Sequence, residues 1–130
     1  MANSAKAVLI VDDEPALLKM LRFFLQRLGY TVTAAETTEA AWSAVEAAPE
    51  GFDVAVLDAT MAGPGLTHLA LKMLRASPRL RILVASGYLV DMSGIEAAAG
   101  GRTAFLQKPF SPEMLAAAVR RILGSQEESL

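Results

Sequence analysis

The chain has 130 residues, 12 Lys+Arg against 14 Asp+Glu, a formal net charge of -2, 53% hydrophobic residues and no cysteine. That length suits one domain, leaving no room for a second catalytic or DNA-binding unit, and a pI of 5.4 lacks the basic excess of a nucleic-acid or anionic-lipid binder. Disulfides and thiolate metal sites are excluded, and the first apolar run, Ala7–Val11, is too short for a signal-peptide core or a membrane span, so a soluble cytoplasmic protein is expected.

Taken in order, Ala7–Val11, Thr31–Ala34, Val54–Leu57, Ile82–Ala85 and Ala104–Leu106 are short apolar runs with little alternation, the pattern of strands buried on both faces of a parallel sheet. Between them lie segments of helical period. Leu17, Leu18, Leu21, Phe24, Leu25 and Leu28 form one stripe, closed by Gly29. Thr38 to Ala47 reads as a second helix ending before Pro49, and Leu66 to Ala76 as a third ending before Pro78. Glycines at 87, 94, 100 and 101 interrupt the next stretch, where a short helix near Val90–Ala99 is expected. The last helix has Ser111 as N-cap, Pro112 at its first position and Gly124 as its stop. Residues 1–6 and 125–130 read as tails around a domain over 7–124.

This strand-helix alternation predicts an α/β fold: a five-stranded parallel doubly wound sheet in the order 2-1-3-4-5, the flavodoxin-like three-layer sandwich, with ligands outside the C-terminal strand ends. Those ends carry Asp12-Asp13, Asp58, Ser86 and Lys108. In this order strands one and three are neighbours, so three carboxylates converge. Like charges so close raise one another's pKa or recruit a hard, oxygen-seeking cation, and few carboxylates with open water positions suit Mg2+. A Lys ammonium and a small hydroxyl suit phosphoryl oxygens. The set is built for in-line phosphoryl transfer onto a carboxylate of Asp58.

From Ala7 to Leu123 the chain resembles a response-regulator receiver domain (CheY-like) of two-component signalling. The resemblance is carried by Val11-Asp12-Asp13-Glu14, Val56-Leu57-Asp58 with Met61, Ala85-Ser86-Gly87-Tyr88 and Phe105-Leu106-Gln107-Lys108-Pro109-Phe110. Each motif alone is weak; the four in order are specific. The wording of the last two is similar to receivers attached to hybrid histidine kinases. The resemblance implies that Asp58 accepts phosphate from a phosphohistidine and that Asp13, Asp12, Asp58 and the Thr60 backbone carbonyl hold Mg2+, Asp12 mainly through water. Lys108 would bridge to the phosphoryl group, ahead of a cis bond to Pro109. Ser86 and Phe105 would form the switch, changing the surface of the fourth helix, fifth strand and fifth helix. Thr60 and Tyr88 occupy the positions that tune hydrolysis. Implied partners are a histidine kinase or phosphotransfer protein, a downstream protein effector and a weak homodimer contact, with no direct nucleic acid and no membrane insertion. The catalysis implied is the chain's own phosphorylation and slow dephosphorylation.

The chain departs from the family wording after Asp58, where Met61-Ala62-Gly63-Pro64-Gly65 displaces the usual proline, and at Phe105, where Tyr is common. Blander readings stand beside the sharp ones. Asp13 could merely cap the first helix, His68 reads as a surface residue, and Trp42 as packing. Competing functions are a phosphate-independent receiver-like binding module, a haloacid-dehalogenase-type phosphatase, which lacks its second acid because Thr60 stands there, and an FMN protein, whose phosphate two carboxylates would repel.

Overall fold

In the computed structural model, which describes residues 6–61, 66–87, 92–99 and 101–127, the apolar runs form strands and the periodic segments form helices. Chain order is β1 (Ala7–Val11), α1 (Pro15–Arg27), β2 (Thr31–Ala35), α2 (Thr38–Ala47), β3 (Val54–Asp58), α3 (Leu66–Ala76), β4 (Arg81–Ser86), α4 (Ser93–Ala99), β5 (Thr103–Gln107) and α5 (Pro112–Glu127). All pairings are parallel and the order is β2-β1-β3-β4-β5, as expected from the alternation.

The absence of alternation in the strands has a direct cause. Val8 and Ile10 of β1, Val54 and Val56 of β3 and Leu83 of β4 pack under α1 and α5 with Leu18, Leu21, Leu25, Leu115 and Val119. Their neighbours Leu9, Val11, Ala55, Leu57, Ile82 and Val84 face the other way, against Val45, Leu69, Met73 and Ile95 of α2, α3 and α4. With side chains alternating across the sheet, the inner positions of these strands are apolar because both faces are covered, and polar residues appear only at strand ends.

Local signals set most ends. Gly29 takes φ 102° after α1, where its N–H donates to the Gln26 carbonyl at 3.0 Å and that of Tyr30 to the Leu25 carbonyl at 3.1 Å. The Ser111 hydroxyl accepts from the Met114 N–H at 3.1 Å and starts α5. Two expectations fail. Gly124 does not stop α5, which runs on to Glu127; the positive-φ glycines among the described residues are Gly29 and Gly101, so Gly124 stays right-handed within the helix. Leu28 is 52% exposed, because it lies past the last residue of α1 and leaves the buried stripe. Of the expected Val90–Ala99 helix, residues 93–99 are helical, and 90–91 lie outside the described residues.

At the end of the sheet remote from Asp12 and Asp58, Arg102 fans onto the turn between α3 and β4. Its guanidinium donates to the carbonyls of Ser77 at 3.2 Å, Leu80 at 3.0 Å and Pro78. No helix among the described residues is long and apolar enough to cross a membrane. Leu83 is wholly buried between the sheet and α5, so Leu83→Ala should lower unfolding free energy by about 2–5 kcal/mol. By contrast Phe23→Ala, on a side chain 61% exposed, should change it by under about 0.5 kcal/mol in the same urea titration.

Candidate functional site

The strand register assembles the site. Val11 pairs with Leu57, so the next residues along β1 and β3 are Asp12 and Asp58. Both continue the series Val8, Ile10 and Val54, Val56, whose side chains lie on the α1/α5 face. Lys108 follows Ala104 and Leu106 in the same parity on β5, and these pack on that same face. Backbone bonds carry the pairing past the strand ends: Asp12 N–H to the Ala35 carbonyl at 3.1 Å, and Lys108 N–H to the Ser86 carbonyl at 2.7 Å. The Lys108–Pro109 bond is cis.

The result is a charged cluster on an apolar floor. Asp58 is 3% exposed and Asp12 5% exposed. The Lys108 ammonium lies 3.1 Å from Asp58 Oδ1 and 3.7 Å from Asp12 Oδ2. Asp58 Oδ1 also accepts from the Thr60 N–H at 3.0 Å and the Thr60 hydroxyl at 2.7 Å. Asp12 Oδ1 accepts from the Glu14 N–H at 3.0 Å in a short side-chain turn. Asp13 is exposed, and carboxylate oxygens of Asp12, Asp13 and Asp58 lie within 4.8 Å of one another.

The two buried carboxyls respond oppositely. Burial pushes Asp58 up, but the Thr60 N–H, the Thr60 hydroxyl and Lys108 outweigh it and hold the group below the usual carboxylate range. Asp12 is held above that range: burial is the largest cause, with Asp58 and Asp13 adding repulsion that the Glu14 N–H and Lys108 do not cancel. Three carboxylates against one ammonium leave an excess of negative charge on oxygen donors only, which fits a hard divalent cation.

The helix-capping reading of Asp13 fails. The N-cap of α1 is Glu14, with no side-chain cap bond, and the exposed Asp13 carboxylate lies beside those of Asp12 and Asp58. Ser86 is wholly buried at the end of β4, in the parity of Ile82 and Val84. Phe105 is partly buried against that same α3/α4-side cluster. The serine and the aromatic therefore share the sheet face opposite the carboxylates. Tyr88 and residues 62–65 of the altered loop lie outside the described residues; Met61 packs partly against the core. His68 is exposed on α3, and Trp42 packs on the core with the Lys72 ammonium 4.3 Å from its ring centroid. The sequence reading missed the Thr60 hydroxyl bond, although Asp followed two residues on by Thr is a spacing at which side chains bond locally. It also missed the outer face of α1, where Met20 and Phe23 are exposed among Lys19, Arg22 and Arg27, with Leu28 exposed just past the helix end.

Comparison with known proteins fits this geometry. The family model described as "Response regulator receiver domain" matches residues 8–120. The response regulator GtcR of Aneurinibacillus migulanus is 33% identical over 109 residues, covering 83% of this chain and 43% of GtcR. The chain thus spans under half the length of the first curated relatives it matches. A receiver domain protein of Methanospirillum hungatei JF-1 superposes with a TM-score of 0.83 at 29% identity, covering 98% of this chain and 100% of that one. TrrA of Thermotoga maritima, solved in complex with Mg2+-BeF, gives 0.75 at 26% identity, covering 91% and 99%.

The electrostatics are testable without any phosphodonor. In metal-free protein at pH 7, Lys108→Met should lower unfolding free energy by about 1.5–3 kcal/mol, since it strips a charged hydrogen bond from a buried carboxylate pair. Asp12→Asn should move the urea midpoint the other way by relieving the repulsion.

Proposed function

The chain belongs to the response regulator receiver domain family, and on that premise we propose that Asp58 takes a phosphoryl group from a phosphohistidine and that the phosphorylated form changes what the α4–β5–α5 surface binds. The observation that carries this reading is the Lys108 ammonium set between Asp12 and Asp58, 3.1 Å from Asp58 Oδ1, at the rim of the sheet.

Each residue has a chemical task. A carboxylate oxygen of Asp58 forms the new P–O bond while the P–N bond of the donor breaks and its electron pair stays on the imidazole nitrogen, which ends protonated. Asp58 is kept ionised by the bonds on Oδ1, so it needs no base to remove a proton before attack. Lys108 is close enough to follow negative charge from the carboxylate onto the phosphoryl oxygens. Receiver domains bind Mg2+ at an acidic pocket; here Asp12, Asp13, Asp58 and the Thr60 carbonyl would hold it. When bound, Mg2+ supplies positive charge to the transferring group. Thr60 and Tyr88 would set the lifetime of the acyl phosphate.

Ser86 would then engage the phosphoryl group and Phe105 turn inward, coupling the site to β5 and its flanking helices. Phosphate shifts that equilibrium only by its preference for one of the two arrangements. The donor, a histidine kinase or phosphotransfer protein, must approach the rim from which α1 departs. The exposed Met20 and Phe23, framed by Lys19, Arg22 and Arg27, support docking there of an apolar surface with acidic flanks. The output goes to a downstream protein effector, and the reading places the domain in the cytoplasm. The phosphate-independent alternative has no observation in its favour, since the acidic cluster and the Lys108 ammonium stand in place.

With a small phosphodonor and Mg2+, intact mass should show one added phosphate on the chain and none on Asp58→Asn or after chelation; an adduct on Asp58→Asn displaces Asp58 as acceptor. Phe23→Ala should slow transfer from a protein donor by about tenfold, the effect of losing one apolar anchor, while leaving uptake from the small donor unchanged.

A further inference from the structure

Charge is sorted between two helices on opposite sides of the sheet. Residues 15–28, α1 and the position after it, carry Lys19, Arg22 and Arg27 and no acid, whereas residues 36–51, around α2, carry Glu36, Glu39, Glu46 and Glu50 and no base. All of these side chains are exposed, and none is in an ion pair among the described residues. Exposed helices gain from opposite charges three or four residues apart, yet no opposite charge stands at that spacing from any of these residues. The basic face of α1 also shows Met20 at 44% and Phe23 at 61% exposure, with the Arg27 guanidinium 5.7 Å from the Phe23 ring centroid. We propose that this face of α1 receives the outer face of α2, with Glu39 and Glu46, from a second copy of the chain.

One chain cannot bring its own two faces together, because α1 packs on one side of the sheet and α2 on the other. A second copy supplies the complement. Lys19 and Arg27 lie about 12 Å apart along their helix axis and Glu39 and Glu46 about 10 Å, so both ends of the contact are matched at once. Ala40, Ser43 and Ala47, exposed between those carboxylates, are short enough to leave room for the Phe23 ring. Burial of Met20 and Phe23 supplies the anchor, while the charges at the rim set the pairing and add little affinity, so half-association falls on the order of 0.1–1 mM. The contact joins two different patches, leaving one basic and one acidic face open on each pair. It goes beyond the phosphoacceptor reading and stands whether or not Asp58 takes phosphate. Because the same α1 face is the one proposed for the phosphohistidine donor, a second copy and the donor exclude one another there.

Sedimentation velocity tests this on the full chain. The mean mass of the wild type should rise between about 20 μM and about 2 mM at about 0.05 M salt, and about 0.5 M salt should weaken the association by about tenfold. Two variants each remove one face: Met20→Ser with Phe23→Ser on α1, and Glu39→Lys with Glu46→Lys on α2. All four positions are exposed, so each variant should first show a wild-type urea transition; one that does not is replaced by Phe23→Ala or Glu46→Gln. Alone, each variant should stay monomeric over the whole range. Mixed, they should form a one-to-one complex with an affinity within about threefold of the wild-type contact, since one intact α1 face then meets one intact α2 face. A wild type that stays monomeric throughout overturns the proposal and leaves the α1 face to the donor alone. Association of either variant by itself, or a mixture that forms no complex, overturns it as well.

Discussion

Two buried carboxylates stand side by side because their strands are hydrogen-bonded neighbours, and the rest of the site answers that repulsion. β1 and β3 pair in a register that ends Val11 against Leu57, so no side-chain flexibility can separate Asp12 from Asp58. Lys108 arrives from β5, two strands from β3 in the sheet order, to sit between them. Thr60 adds two donors from the turn that follows. The donors and the ammonium favour Asp58, which stays ionised, and leave Asp12 with the cost of its surroundings. That asymmetry suits Asp58 to the proposed role of nucleophile and Asp12 to the proposed role of cation ligand.

The sheet also divides labour between its faces. Asp12, Asp58 and Lys108 continue the parity that packs under α1 and α5, whereas Ser86 and Phe105 continue the parity facing α3 and α4. Ser86 pairs with Gln107, and Lys108 bonds to the Ser86 carbonyl, so the two faces meet through the backbone at the ends of β4 and β5. A change of charge on the first face is therefore one peptide unit from residues that pack on the second.

Much of this was legible in the chain. Strands buried on both faces announce themselves as uninterrupted apolar runs, and the sheet order follows from alternation with helices, so the meeting of Asp12, Asp58 and Lys108 could be anticipated from position alone. Boundaries set by backbone conformation were less legible. Gly29 and Gly124 look alike as helix stops, yet only Gly29 takes the left-handed conformation. What could not be read was any property belonging to a side-chain torsion. The Asp58–Thr60 spacing permits a local side-chain bond without requiring it, and Asp13 suits a helix cap as well as it suits an acidic cluster.

Arg102 has a mechanical meaning beyond its bonds. β5 has a strand neighbour on one side only, and its first residue follows directly on the guanidinium that grips the turn before β4. Sliding along β4 would tear that grip and break the Ile82–Thr103 pairing together. The outermost strand is thus fastened at both ends, by the Arg102 guanidinium where it begins and by the Lys108 N–H on the Ser86 carbonyl where it ends, so the Lys108 ammonium is presented to Asp58 from backbone held in register.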